Sequence, residues 1–469
     1  MVWKSISTGI PAIGHIQICT SPVRKNPWEY ILILVDAMQR TEDLPLDALH
    51  LYANEEQVQK YLVPGIAGEY RGSFAFTEPD TGSDPKQLTT IARKEGDKYI
   101  INGCKRFITN GDGDISLVLA RTEEGTKDAR GLSMLIYDKR DGGVKVRRIE
   151  NKLGIKGSPT CELVFNNAPA VLVGDRKMGL IKYVMSLMNA ARLGIAAQST
   201  GLCEAAYREA LKYAGEREQF GKPIIGFAAV AEMLKNMEAK TLASRALLYE
   251  TARFVDIYKQ LNHISHERSL ESEERQEMKF YNRLADGFTP IAKMFASEYA
   301  NEVAYDSIQI HGGSGYMKDY ACERLYRDAR IMNIYEGTTQ LQVVAAINHV
   351  TKGTYLEQIM RYEENTPTEA TKAMYDRLVE LRKVYEAAVE RVETLDKECS
   401  GYKDFHARRL VEIAGYVIMS HIMLRQAGEC EAEYLAPTTI FVKYATKKIR
   451  EAASYINDSE ASDVELFRA

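Results

Sequence analysis

Hydrophobic and polar positions change their pattern twice along this chain, first to short apolar runs between turn residues and then to a helical spacing. From Gly72 to about Ala168, short β-branched and aromatic runs recur between turn residues. They are Ser73 to Thr77, Tyr99 to Ile101 followed by an Asn102-Gly103 turn, Phe107 to Thr109, Leu117 to Ala120, Leu132 to Tyr137 and Leu163 to Phe165. Runs of this length and spacing predict a small β-barrel or sandwich. Beyond Gly174 the period is helical: Leu234, Met237, Thr241, Ser244 and Leu248 recur three and four apart and place one mostly apolar stripe on a long helix that must pack against others. The segment from Tyr258 to Gly287 is dense in charge and reads as an exposed connection between two bundle helices, helical in part. After Val350, the residues Met374, Leu378, Leu381, Tyr385, Ala388, Val392 and Leu395 form a heptad seam. Its length, about three heptads, predicts a helix inside an appended bundle, with Ala407 to Gln426 completing a hairpin. Ahead of the strands, Ala48 to Ile66 reads as short helical pieces broken at Pro64-Gly65, and residues 1 to about 45 carry no clear period.

The expected fold is therefore α+β and mostly α. A shortened helical N-terminal domain spans 1–71, a central β-barrel or sandwich domain 72–168, a four-helix-bundle C-domain 169–349, and an appended helical extension 350–469.

At 469 residues the chain has room for two to four domains and a core able to bury a large flat cofactor. Its 61 Lys plus Arg against 65 Asp plus Glu leave a net charge of -4, which gives no electrostatic case for nucleic acid or an anionic membrane. The extension is also acidic, which disfavours a DNA-associated role. Seven scattered cysteines without a C-x-x-C pair suggest neither a disulfide framework nor a zinc site, and fit a reducing cytoplasm. The N-terminus lacks the unbroken apolar core of a signal peptide, and no stretch is long enough to span a bilayer.

Candidate chemistry sits in a series of linked strings. Phe74-Ala75-Phe76-Thr77-Glu78-Pro79-Asp80-Thr81-Gly82-Ser83-Asp84 is a strand ending in a polar turn, where Pro79 and Gly82 bend the backbone and expose amides and hydroxyls. Asn102-Gly103-Cys104-Lys105-Arg106-Phe107-Ile108-Thr109-Asn110 follows, and then Lys152-Leu153-Gly154-Ile155-Lys156-Gly157-Ser158-Pro159-Thr160. The helical half carries Met188-Asn189-Ala190-Ala191-Arg192-Leu193, Arg217-Glu218-Gln219-Phe220-Gly221-Lys222-Pro223, and Gln309-Ile310-His311-Gly312-Gly313-Ser314-Gly315-Tyr316. Ile334-Tyr335-Glu336-Gly337-Thr338-Thr339-Gln340 closes the series with a carboxylate between an aromatic and a glycine. Taken singly, each string is more often a hairpin end, a Gly-Ser turn or a surface ion pair; Gln309 to Gly313, for instance, lacks the strand-first context of a Rossmann phosphate site.

In order and at this spacing, over about residues 48 to 349, the strings resemble the acyl-CoA dehydrogenases. The resemblance implies FAD as cofactor and an acyl-CoA thioester as substrate. It implies that Glu336 takes the α-proton while a β-hydride passes to flavin N5, giving a trans-2-enoyl-CoA. Phe74, Phe76, Thr77 and Ser83, with Phe107, Ile108 and Thr109, would line the flavin; the family usually has Trp where this chain has Phe107, and a phenyl ring still offers a flat apolar wall. Arg217, Gln219, Phe220, Gln309, Gly312, Gly313, Thr338 and Gln340 would meet FAD, Arg217 and the Gln309 to Gly313 loop acting across a subunit contact. Ser83, Ser158, Met188, Asn189, Arg192 and Gly337 would meet the substrate. No metal is expected. Ala191 occupies the place where isovaleryl-CoA and long-chain types carry their base, which leaves Glu336. Ala228 replaces a family Gln that contacts FAD, and the region before the first motif is shorter than usual.

The resemblance further implies a homodimer or homotetramer and an electron-transfer flavoprotein as acceptor. The extension is similar to that of the larger bacterial members, the group that includes 3-methylmercaptopropionyl-CoA dehydrogenase. A plain fatty acyl-CoA is the first expectation for the substrate and a short thioether acyl-CoA the second. A non-catalytic flavoprotein scaffold is the competing reading.

Overall fold

The computed structural model describes residues 45–467, and the reading of residues 1–44 as aperiodic lies outside them. Two helical segments come first, residues 45–52 and a run from Glu55 to Ile66. The break falls at Asn54 and not at Pro64-Gly65: the Asn54 side chain accepts from Gln57 N, and Gln57 answers in a capping box. Pro64 is carried because the backbone ahead of it winds as a wider π turn over Val58–Leu62.

Seven strands follow: β1 (Gly72–Ala75), β2 (Ile91–Glu95), β3 (Lys98–Thr109), β4 (Ile115–Arg121), β5 (Leu132–Asp138), β6 (Val144–Ile149) and β7 (Thr160–Leu172). They pair in the order β1-β4-β2-β3-β7-β5, β5 pairs back onto β4, and β6 adds to β7. All of β4 except Arg121 is buried, because one side packs inside the sheet with Leu135 and Leu163 while Leu117 and Leu119 pack outward on Tyr183 and Leu187. A strand covered on both faces shows a continuous apolar run and no alternation. The expected turn at Asn102-Gly103 is absent. β3 runs straight through it with a register shift, and Gly103 is required because a Cβ there would meet Thr90 at 2.5 Å. The turn between β2 and β3 is at Gly96 instead. β2 and β6 escaped the sequence reading because their Arg and Lys side chains interrupt the apolar run.

The rest is helical: α1 (Met185–Glu216), α2 (Ala228–Glu267), α3 (Ser272–His311), α4 (Ala321–Ala329), α5 (Thr339–Thr351), α6 (Thr354–Glu363), α7 (Lys372–Glu398), α8 (Tyr402–Glu429) and α9 (Glu431–Asp458). The charged 258–287 stretch is not a long connection but the ends of α2 and α3, joined by residues 268–271 alone. Its charges are the solvated faces of two long helices and pair locally, as in Arg268–Glu274 at 2.6 Å, while Glu271 and Glu274 cap α3. The heptad seam holds, with Leu378, Leu381, Tyr385, Ala388 and Val392 buried. The hairpin gains a third helix, α9. α8 is buried on most sides, and one hydrophobic cluster runs from Leu193 to Val464, so the extension shares the core of the bundle. At that junction Gly415 of α8 lies flat against the ring of Phe295 in α3, where any Cβ would overlap the ring.

Candidate active site

Glu336 ends a turn that three helices converge on. Its φ is 53° and that of Gly337 is 89°, so two successive residues are left-handed. For Glu336 that backbone carries strain and needs outside support. Gly337 is required for its φ, which side chains rarely adopt. Support comes from all sides. Lys293 Nζ of α3 donates to the Gly337 carbonyl at 2.7 Å, and Gln342 Nε2 of α5 donates to it at 2.9 Å. Thr338 caps α5 by accepting from Leu341 N, Thr339 Oγ1 donates to Glu298 at 2.8 Å, and Tyr335 Oη donates to Gln198.

Among the described residues, the Glu336 carboxylate takes no hydrogen bond or ion pair. Burial pushes its pKa above the ordinary carboxylate value, and the charges of Arg192 and Lys293 pull back against that. Lys293, wholly buried, is lowered to about 8 by loss of water, against the opposing pull of Glu336. Arg192, one helical turn after Met188, reaches toward Asn189 Oδ1 at 3.4 Å, while its buried Nε has no partner. Asn189 in turn donates to Asp286 at 3.3 Å, and Asp286 faces His349 at 3.5 Å. An unpartnered guanidinium nitrogen beside an unpaired carboxylate marks a place shaped for a polar ligand group.

The β-domain meets this place through Met188, which packs in one cluster with Phe74, Phe76 and Leu187. Phe74 and Phe76 lie in parallel planes with centroids 6.0 Å apart. The strings holding Thr77 and Phe107 are tied together twice: Arg106 N donates to the Thr77 carbonyl at 2.8 Å, and the fully buried Lys105 pairs with Glu78 at 2.9 Å. Burial would raise the Glu78 carboxyl, but Lys105 and donors from Thr89 and Thr90 win and lower it to about 2. A bulge between Lys105 and Ile108 sets Phe107 at φ 61° and turns its ring outward, 54% exposed. The bulge corrects one expected contact. Ile108 faces the sheet interior at 2% exposure, so its side chain is not offered to a ligand. Thr109 pairs with Thr160 at the end of β3, and Ser83 is exposed in the turn after Glu78. An outward phenyl ring beside strand-end amides and hydroxyls fits a planar aromatic ring system such as the isoalloxazine of FAD.

Ser158 lies on a loop docked to α4, where Ile155 N donates to Asp328 at 2.6 Å and Arg327 Nη1 donates to Leu153 O at 3.0 Å. Lys152 Nζ gathers the Ser158 carbonyl at 2.8 Å and Thr160 Oγ1 at 2.8 Å. A cleft of about 370 Å³ opens there, lined by Glu150, Lys152, Lys156 and Ser158.

Most of the remaining expected residues sit toward the other end of the bundle. Arg217 ends α1, Phe220 stands 94% exposed at the tip of the hairpin β8 (Glu218–Gln219) and β9 (Lys222–Pro223), and Gln219 is exposed beside it. Gly312 and Gly313, following the exposed Gln309, have open space where side chains would stand. Tyr213 stacks on His311 at 4.3 Å and joins these two groups at one end of the bundle. At 1.5 Å per residue, Arg217 lies roughly 37 Å along α1 from Arg192. Gln340 is exposed on the first turn of α5. Lys293, Gln342, Asp286 and the Glu78–Lys105 pair were not anticipated. For Lys293 a signal exists, a lone cation in the apolar run Pro290-Ile291-Ala292-Lys293-Met294-Phe295.

Three protein families match successive parts of the chain. The family described as acyl-CoA dehydrogenase, middle domain matches residues 73–168, the acyl-CoA dehydrogenase C-terminal domain matches 181–350, and a further acyl-CoA dehydrogenase C-terminal family matches 351–464. An acyl-CoA dehydrogenase of Bacillus subtilis is 39% identical over 307 residues, covering 65% of this chain and 74% of that protein. The caffeyl-CoA reductase-Etf complex subunit CarC of Acetobacterium woodii is 38% identical over 298 residues, covering 63% of this chain and 72% of its own. The crystal structure of an acyl-CoA dehydrogenase complexed with FAD from Bacillus anthracis superposes with a TM-score of 0.73 at 26% identity, covering 89% of this chain and 74% of that one. With its strand domain, its bundle and its extension each matched, this chain belongs to the acyl-CoA dehydrogenase family.

Proposed function

We propose that this FAD-dependent oxidoreductase removes hydrogen from the α and β carbons of an acyl-CoA thioester, with Glu336 as the base, yielding a trans-2-enoyl-CoA. The observation that carries the reading is Glu336 itself: a desolvated carboxylate without a partner, on a braced left-handed turn, beside a half-satisfied arginine. A carboxylate with a raised pKa is a stronger base toward a weakly acidic carbon, and a braced turn keeps it aimed. FAD, when bound, supplies the hydride acceptor that no side chain can provide. Phe76, Thr77, Phe107 and Thr109 are the residues that would hold its ring, with Ser83 at the turn. Met188, Asn189 and Arg192 would orient the acyl end and Gly337 would leave room for it, while Ser158 and the cleft beside it would take part of the CoA moiety.

Arg217, with Gln219 and Phe220 beyond it, lies roughly 37 Å along α1 from Arg192, and Gln309 lies roughly 24 Å along α3 from Lys293, too far to serve the Glu336 region of their own chain. Their exposure supports a homo-oligomer in which they serve a neighbour's FAD. The Etf-linked relative supports an electron-transfer flavoprotein as acceptor. A plain fatty acyl-CoA is the proposed substrate, with a short thioether acyl-CoA as the second candidate. The test is a panel of saturated and thioether acyl-CoAs assayed with an artificial electron acceptor. Flavin bleaching and enoyl-CoA formation with at least one member is expected, and no bleaching by any of them would overturn the proposal in favour of a non-catalytic scaffold.

A further inference from the structure

Lys293 is the most deeply placed cation in the described chain that neither the sequence strings nor the proposed reaction uses. It is fully buried in the middle of α3, and its ammonium donates to the carbonyl of Gly337, the residue after the base. A lysine is almost never wholly buried unless something compensates its charge. Among the described residues it has no ion pair within bonding distance, and what faces it are Glu336, Arg192 from α1 and Glu298 on its own helix. Glu336 in turn faces Arg192 and Lys293, while Arg192 also feels Asp286, which His349 engages. Gln342 donates to the same Gly337 carbonyl, so the two donors together occupy both of its lone pairs. What only the lysine adds is a positive charge fixed beneath the turn.

We infer that Lys293 is a positioning residue for the proposed reaction: its charge keeps the Glu336 carboxylate ionised inside a water-poor site while its hydrogen bond fixes the left-handed turn. This deepens the proposed function and rests on Glu336 being the base. Burial alone disfavours the ionised carboxylate, the form that accepts a proton. A cation below the backbone offsets this without touching the carboxylate oxygens, so those oxygens stay free for the substrate.

The test separates the charge from the hydrogen bond. Lys293→Gln keeps a donor and removes the charge; Lys293→Arg keeps a cation. For flavin-loaded Lys293→Gln, the acid limb of kcat/KM is expected to move up by about one pH unit or more, the usual effect of losing a nearby opposite charge. Lys293→Arg is expected to keep the limb where the unmodified enzyme has it. Superimposable profiles for Lys293→Gln and the unmodified enzyme would reduce Lys293 to a structural donor and overturn the inference. Should Lys293→Gln fail to fold, the neutral pair Glu336→Gln/Lys293→Gln is expected to fold and hold flavin, and its failure would overturn the inference too. Failure of the underlying reading looks different: Glu336→Gln would then keep its turnover whatever stands at position 293.

Discussion

Lys293 and Gly337, 44 residues apart in sequence, meet at 2.7 Å, so the middle of α3 props the backbone turn that aims Glu336. Because α3 also receives Gly415 of α8 on its Phe295 ring, only two residues along from Lys293, the extension buttresses the helix beneath the base. Backbone strain at the proposed base is thus held by elements from three parts of the chain.

The pH dependence of turnover follows from the burial of Glu336. Its folded pKa is raised, so the ionised base is present only above that value and activity falls as pH drops through it. The acid limb of kcat/KM is expected above the ordinary Glu value of about 4.3. A steady-state pH profile checks this, and a limb at the unperturbed carboxylate position would count against it.

Lys105 and Glu78 join the two strings that would meet the flavin. Lys105→Met leaves a buried carboxylate unpaired and is expected to cost about 3–5 kcal/mol in denaturant unfolding. Glu78→Gln/Lys105→Met, neutral at both ends, is expected to recover most of that. The Glu78 carboxyl sits at about 2 when folded against 4.5 ordinarily, so its contribution is present above pH 4.5 and is lost as pH falls toward 2. Glu78→Gln should therefore flatten the stability curve across that window.

Arg217 and Glu336 are expected to complete one site from two chains. Arg217→Ala alone should release FAD, and Glu336→Gln alone should hold FAD without turnover. Mixed oligomers of the two variants are expected to regain part of the activity, measured per flavin after co-expression. Failure of any mixture to exceed its parents would show that Arg217 serves its own chain.

Gly415→Val forces two methyl groups into the Phe295 ring. Overpacking of this kind costs about 1–3 kcal/mol, and the expected result is a lower melting temperature together with faster proteolysis of the extension. An unchanged melting temperature would show that α8 shifts freely on α3.

The long bundle helices and the heptad seam were legible because one buried face imposes a period on each, and β4 and β5, buried almost throughout, were legible as short continuous apolar runs. Where charged side chains interrupt the run the signal fails, as in β2 and β6, and where a bulge intervenes the parity flips. Ile108 looked like part of a ligand wall for that reason, since the bulge at Phe107 turns Ile108 inward. The charge-rich 258–287 stretch hid two helix ends because composition reports solvent exposure and not backbone form. Glu336 stood out through its string, whereas Lys293, Gln342 and Asp286 did not, because their partners are distant in sequence and only the packing of α1, α3 and α5 brings them together.

The most direct test mixes flavin-loaded Glu336→Gln, without oxygen, with an acyl-CoA that bleaches the unmodified enzyme. Loss of the base is expected to leave the flavin oxidised, slowing bleaching by about 10²–10⁴-fold with FAD still bound. Bleaching at the unmodified rate would place the base elsewhere and contradict the account.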